Sequence, residues 1–424
     1  TEAAYAINEQ SGTLSKITNS GTIQAGTTQL TTPGFQSVQI AAYLGKNTTG
    51  VTFVNTGAVT GDVIFGQGAD TLSVTGTSAS SLSTLVGNLD FGSAVSGVDT
   101  LNVNAFGFVS GQIRETTTGM LNVNVAGLGT LNVQNNSAAY GSLLVNNLTV
   151  ADHGTLNIAV STVLPGNVSV NAGTTGAVTL ADGANLNVIY SSFIPASGQF
   201  VLLQAANGNM NISNTEFTQI KGTVDSAIPF LFGSNGGLQR VTTPTLDQLV
   251  LSLAPKTASQ LSLTGYAAQV FPYANAALEN DDALGAGMIG GITSNATAQT
   301  AYSQFAPDAS GGTRAIAISL TDHATGPVAA RQRALRLYAT QPGDLTLWGQ
   351  EFAQQISDKG SDGLPGFKDS GFGFALGADG GDALGGWYGG AFTFYTGNVD
   401  QRAPSSSRDN TQWYMLSGYS TWRG

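Results

Sequence analysis

Apolar positions in the first 190 residues come in short alternating runs bounded by Gly or Asn. The recurring unit is a glycine, a short spacer, Leu, a polar Asn or Ser, then Val or Ile. It occurs at Gly119-Met120-Leu121-Asn122-Val123, at Gly129-Thr130-Leu131-Asn132-Val133, at Gly154-Thr155-Leu156-Asn157-Ile158 and at Gly183-Ala184-Asn185-Leu186-Asn187-Val188. Two earlier copies carry an aspartate, Gly68-Ala69-Asp70-Thr71-Leu72-Ser73-Val74 and Gly97-Val98-Asp99-Thr100-Leu101-Asn102-Val103. Each unit predicts one short strand. A lone strand of this length cannot bury its apolar side, whereas stacked repeats can turn every Leu and Val inward as a ladder and leave Asn and Thr outside. The expected fold of this region is a right-handed parallel β-helix; the competing reading is an antiparallel sandwich. Few Asn-Gly or Asp-Gly hairpin turns separate the strands, which favours the stack.

The pattern divides the chain into residues 1–197 (repeats), 198–262 (denser strands), 263–340 (alanine-rich) and 341–424. The second segment holds Gln199–Leu203, Ile228–Phe232 and Gln248–Leu253, expected as terminal strands that cap the open edge of the stack. In the third, Asp281-Asp282-Ala283-Leu284 and Asp308 each place an N-cap residue ahead of apolar positions, and a last helix is expected from Pro327 to about Tyr338. That helix carries Arg331, Arg333 and Arg336, for which a solvated face near the C-terminal helix dipole is the plain reading.

Past Gln341-Pro342-Gly343 the alternation changes character. Phe372, Phe374 and Leu376 alternate with Gly371, Gly373 and Ala375, while Tyr388, Phe392 and Phe394 alternate with Gly389, Ala391, Thr393 and Tyr395. A soluble sheet sets an apolar face against a charged one. Here a large, aromatic face is set against a small or weakly polar one, which is the pattern of transmembrane strands. Four strands are expected, near 344–355, 369–380, 385–398 and 411–423, with a long polar connector from Asp400 to Asn410. All four tryptophans, Trp348, Trp387, Trp413 and Trp422, fall in this segment, as interfacial tryptophans would. Candidates for lipid-facing or interfacial positions are Trp348, Phe372, Phe374, Leu376, Trp387, Tyr388, Phe392, Phe394 and Trp413. Four strands leave two unpaired edges, which hydrocarbon does not tolerate, so the chain is expected to be part of a larger barrel.

Composition narrows the function. Of 424 residues only 10% are charged while 41% are hydrophobic and 56 are Gly, the reverse of the balance that keeps a chain disordered. The net charge is −11, and Lys16, Lys46 and Arg114 are the only bases in the first 220 residues, so no phosphate-tracking groove and no nucleic-acid partner is expected. There is no cysteine, which removes disulfides, thiol catalysis and Cys-ligated zinc. No run is long enough for a membrane helix.

The run Leu347-Trp348-Gly349-Gln350-Glu351-Phe352, followed by Gly371–Asp379 and Gly386–Phe392, resembles the start of the translocator domain of autotransporters (type V secretion). The stretch Lys256–Thr264 resembles the junction between passenger and translocator in that family. The resemblance implies a β-helical passenger (1–197), terminal coils and junction (198–262), a short helical linker threaded through a pore (263–340), and the first strands of an antiparallel transmembrane barrel of about twelve (341–424). It also implies that Arg331, Arg333 and Arg336 face a polar or acidic lumen. Implied partners are outer-membrane lipid, the barrel-assembly machinery and periplasmic chaperones; a host or cell-surface ligand is not named by any residue. The implied location is the outer membrane, with the passenger on the cell surface or released.

Enzymatic motifs are sparse. The two histidines, His153 and His323, are each expected to be structural or solvated: His153 in a repeat turn, His323 between helical stretches. No Gly-x-Ser-x-Gly elbow or Gly-Asp-Ser motif occurs, and no catalytic residue is assigned. Asp62, Asp70 and Asp99 faintly suggest calcium, but one loop supplies too few of the oxygens required, and an Asx-type turn is the simpler expectation. No metal or cofactor is assigned. The function expected is therefore that of a non-enzymatic, self-exporting surface protein, adhesive or structural. The alternatives are the stalk and translocator of a protease or esterase whose catalytic domain precedes Thr1, and a soluble solenoid.

Overall fold

The computed structural model describes residues 2–26, 37–92, 97–117, 120–135, 140–160, 168–305, 312–338, 345–360, 366–382, 385–402 and 408–422. Strands hold 49% of the residues and helices 20%, so the protein is mainly β. Two compact units divide the chain, residues 1–256 with 276–291 and residues 257–275 with 292–424.

In the first unit the chain visits parallel sheets in a fixed cyclic order. A five-stranded sheet runs from Glu2–Asn8 to Ile113–Arg114, an eight-stranded one from Lys16–Asn19 to Met210–Asn211, and a seven-stranded one from Thr22–Gln24 to Asn185–Tyr190. Each strand pairs in parallel with its counterparts in the preceding and following repeats, which excludes the antiparallel sandwich. The register turns the sequence repeat into ladders. Phe53, Leu72, Leu101, Val123 and Leu148 occupy one row, and Leu85, Val109, Leu131, Leu156 and Leu186 another. None of these ten side chains is more than 1% exposed. Leu121 is the exception in the motif: it pairs with Asp99, and Val123 takes the leucine row. Outside, Asn187 donates to Asn157 (2.9 Å) and Asn157 to Asn132 (2.6 Å), forming an amide ladder on the seven-stranded sheet.

Residues 198–262 depart from expectation. The strands Gly198–Ala206 and Leu246–Pro255 are antiparallel to one another, and Phe232–Thr242 joins as a third, again antiparallel. Ile228–Leu231 is not a strand but the turn after a helix, Asn214–Ser226, that the strand pattern does not announce. Its signature is present nonetheless. The Ser213 side chain accepts from the Glu216 amide at 3.0 Å, and Ile220 and Val224 repeat at helical spacing on the buried side.

The alanine-rich segment forms four helices, Gly265–Asn280, Asp282–Gly291, Asn295–Ser303 and Gly312–Tyr338. Asp281 caps the second as expected, accepting from the Leu284 amide at 3.0 Å; Asp308 lies outside the described residues. Pro327 does not begin a helix but sits inside the 27-residue one. Proline removes one donor from a helix interior, and here the turns on either side are held by packing against the C-terminal sheet.

That sheet has, among the described residues, four antiparallel strands in sequential order, Thr346–Asp358, Phe367–Gly381, Gly386–Gln401 and Arg408–Trp422, with every end within three residues of the expected span. Strand register reaches Asp400 opposite Arg408, so both ends of the connector expected from Asp400 to Asn410 are strand, while 403–407 lie outside the described residues.

Candidate functional site

Alternation sorts the residues of the C-terminal sheet into two faces. One carries Leu347, Phe372, Phe374, Leu376, Tyr388, Phe392, Phe394, Tyr414, Leu416 and Trp422. Register brings them side by side, with Leu376 opposite Phe392 and Phe392 opposite Leu416, and with Phe374 opposite Phe394 and Phe394 opposite Tyr414. Their rings touch: Phe394 and Tyr414 are 5.2 Å apart, Phe374 and Phe394 5.7 Å, and Tyr388 and Trp422 5.8 Å edge to face. This face is open. Leu416 is 84% exposed, Leu347 77% and Phe372 55%. Toward one end of the two last strands the rows become polar, Thr396 opposite Gln412, Asn398 opposite Asn410 and Asp400 paired with Arg408 at 2.5 Å.

The other face is covered by the helix Gly312–Tyr338. Ile316 and Leu320 pack on Phe367, Tyr395 and Val399, with Phe352, Ile356 and Trp413 around them. Val328 and Leu335 pack on Trp387, Ala391 and Tyr419, with Trp348 alongside. Trp348, Trp387 and Trp413, expected at lipid-facing or interfacial positions, therefore belong to the helix-covered face instead; of the tryptophans only Trp422 lies on the open face. Phe372, Phe374, Leu376, Tyr388, Phe392 and Phe394 lie on the open face.

Glycine explains why aromatic rings fit on both faces. On the covered side a ring from one strand lies across a glycine of the next. A Cβ on Gly377 would come 2.4 Å from the Trp348 indole, and one on Gly389 would come 2.4 Å from the Tyr419 ring. Cross-strand pairing of an aromatic with a glycine fills the gap left by the missing side chain and fixes register.

Two polar networks join helix and sheet. Arg331 grips Asp379 with two bonds, Nε to Oδ2 at 2.8 Å and Nη2 to Oδ1 at 2.9 Å. Tyr419 donates to the same carboxylate (2.8 Å), and the Trp348 indole donates to the Tyr419 oxygen (2.7 Å). Asp379 is 1% exposed, so the guanidinium and phenol replace its lost water. In the second network Ser319 donates to Gln354 (2.9 Å), Gln354 to Asp369 (2.7 Å), and Tyr395 to Asp369 (3.2 Å). Of the three arginines expected to face a polar or acidic lumen, Arg331 alone meets a carboxylate among the described residues. Arg333 and Arg336 are exposed on the side of the helix turned from these strands, and the Arg333 Nε–H donates to the Ala329 carbonyl at 3.3 Å. Five residues at 100° each set Arg336 about 140° from Arg331, whereas Leu335 is only about 40° away.

His323 corrects another expectation. It lies within the long helix, half-buried, its ring 5.6 Å from Phe352. Its Nδ1 is 2.9 Å from the Ser319 carbonyl and so carries the proton there; the Ser319 hydroxyl donates to Gln354. Neither group is poised as a base and nucleophile. His153 is a turn residue, as expected, with φ 62°, and its Nδ1 is 2.6 Å from Asp152. Among the described residues no group of His, Asp and Glu is arranged to hold a metal ion. Asp62, Asp70 and Asp99 instead accept backbone N–H groups from other repeats, Asn88 (2.8 Å), Val51 (2.7 Å) and Asp70 (2.6 Å) respectively. They clasp one repeat to the next rather than forming Asx turns. Asp369, Asp379, Gln354, Tyr395 and Tyr419 were not among the expected site residues; two aspartates in strands otherwise Gly-rich and aromatic were the available signal.

No family model, curated protein or solved structure matches this chain.

Proposed function

We propose that residues 346–422 form part of an outer-membrane β-barrel that carries the parallel-strand region to the cell surface, as in autotransporters. The carrying observation is the asymmetry of the C-terminal sheet: aromatic and aliphatic rows on the open side, with Glu351 the charge on the first strand's share of it, and a packed helix held by a buried ion pair on the other. Large exposed apolar patches mark a surface that meets something other than water. The dimensions suit lipid. At about 3.3 Å per residue and a tilt of about 40°, the stretch from Gly386 to Thr396 rises about 25 Å, the height of the apolar band of such barrels. Backbone groups on the outward edges of Thr346–Asp358 and Arg408–Trp422 need partners in hydrocarbon, which closure with further strands supplies.

On this reading the helix Gly312–Tyr338 occupies the lumen, with Arg333 and Arg336 directed to the remaining wall. The three cyclically visited parallel sheets are the faces of a right-handed β-helix, the passenger. Charge-poor ladders of Asn and Thr on its outside suit a structural or adhesive surface role. The assembly machinery and periplasmic chaperones of the outer membrane are the partners such a barrel requires. Fractionation of a Gram-negative host producing the complete protein tests this. The protein should pellet with outer membranes, and protease added to intact cells should remove residues 1–255. Recovery in the soluble fraction would contradict the reading.

A further inference from the structure

Three acidic side chains, Asp70, Asp99 and Glu115, are enclosed in successive repeats of the parallel-strand region, at 0%, 0% and 2% exposure. Each has one oxygen engaged by a backbone amide. Val51 donates to Asp70 Oδ1 (2.7 Å), Asp70 to Asp99 Oδ1 (2.6 Å) and Thr117 to Glu115 Oε1 (2.6 Å). The other oxygen of each, Asp70 Oδ2, Asp99 Oδ2 and Glu115 Oε2, is buried without a partner. Glu115 and Asp70 are acidic neighbours of the Asp99 carboxyl, and both raise it. Enclosure beside like charge, with one oxygen left unpartnered, favours the protonated form of a carboxyl group.

Among the described residues the neighbouring strands offer these groups no counter-charge. Strands Thr52–Asn55, Thr71–Val74 and Leu121–Val125, stacked around Asp99–Val103, contain no ionisable side chain. On the neighbouring sheet Asp90 is taken by Arg114 (Nε to Oδ1, 3.1 Å), and Asp62 accepts from the Asn88 amide. The charged groups acting on Asp99 are Asp70 and Glu115, both acidic.

We propose that Asp70 and Asp99, enclosed in successive repeats, form a stack that is incompletely ionised in the folded protein, and that its full ionisation loosens the repeats it clasps. Burial pushes the Asp70 carboxyl up to about 6, and burial with the neighbouring Glu115 and Asp70 pushes Asp99 up to about 8. An unfolded aspartate titrates near about 3.9. Between those values the folded chain binds more protons than the unfolded one. Stability is therefore fullest below about pH 4 for these groups and is lost as pH rises through about 6 and then about 8. The stack is a pH-responsive clasp: tight in acid, slack in alkali.

Hydrogen exchange of the full chain reads the clasp directly, because the Val51 and Asp70 amides are the donors it holds. Corrected for intrinsic rates, their protection in the wild type should fall about tenfold or more between about pH 6 and about pH 9. Asp99→Asn keeps the acceptor Oδ1 but cannot ionise, and should flatten that response to within about twofold. An equal pH response in wild type and Asp99→Asn, or none in the wild type, overturns the proposal. A second readout needs no variant. The infrared C=O band of a protonated carboxyl group should be present in the folded wild type at about pH 7 and vanish above about pH 9; its absence at neutral pH overturns the proposal.

Discussion

Arg331 and Asp379 meet in a bidentate ion pair, Nε to Oδ2 at 2.8 Å and Nη2 to Oδ1 at 2.9 Å, that pins the long helix to the second strand of the C-terminal sheet. The carboxylate is shielded from water and also receives Tyr419, so the pair is a positional lock rather than a surface decoration. Breaking one partner of such a pair costs far more than replacing both.

Arg331→Met should therefore destabilise the helix–sheet assembly by about 3–5 kcal/mol, because Asp379 is left buried and unpaired. The double variant Arg331→Met/Asp379→Leu should recover most of that loss. Arg333→Ala and Arg336→Ala leave the Arg331–Asp379 pair intact, so Asp379→Leu should rescue neither of them. Thermal unfolding in detergent micelles, followed as the loss of compact mobility on gels, separates the three cases.

Gly377 sits under the Trp348 indole, where a Cβ would come within 2.4 Å of the ring. Gly377→Ala should cost about 1–3 kcal/mol through overpacking. Gly380, where an added Cβ meets nothing within 4 Å, is the control, and Gly380→Ala should be close to neutral. The same gel-mobility melt measures both, and equal effects at the two positions would count against the aromatic–glycine pairing.

Leu251 and Leu253 are fully buried where the chain turns from parallel to antiparallel pairing, opposite Phe200 and Gly198. Placing a charge there removes the end of the parallel stack. Leu251→Asp should lower surface-exposed protein in intact cells at least several-fold, since an unpaired buried carboxylate costs more than a small domain's margin. Surface labelling against total protein measures it. Leu101→Ala, in the middle of the leucine row, should cost about 2–5 kcal/mol from its cavity alone.

Much of the fold could be read from sequence because it repeats. Leu72, Leu101, Leu131, Leu156 and Leu186 each face the interior as the Gly-x-Leu-Asn pattern indicates. Copies reinforce one another and outvote local ambiguity. The single elements fared worse. Helix Asn214–Ser226 occurs once, and its capping signature, Ser213 with Glu216, is easily lost between two strong strands. The tryptophans show a different limit. Period-two alternation groups Trp387 with Ala391 and Tyr395 but does not say which group faces outward, since aromatic residues occur on both sides. What decides the face is which side the helix Gly312–Tyr338 covers, and that is a tertiary contact. The arginines were more legible than they were read: helical geometry already separates Arg331 from Arg333 and Arg336. Asp379 could not be paired with Arg331 from spacing, because 48 residues and a chain reversal lie between them.

The central claim is that the open face of the C-terminal sheet meets acyl chains. The protein has no cysteine, so a single spin label can be placed at will in the liposome-reconstituted protein. Labels at Phe372→Cys, Phe392→Cys, Tyr414→Cys and Leu416→Cys should be accessible to oxygen and shielded from a water-soluble nickel chelate, while Asn398→Cys and Asn410→Cys should show the reverse. Equal chelate access at all six positions would contradict the account.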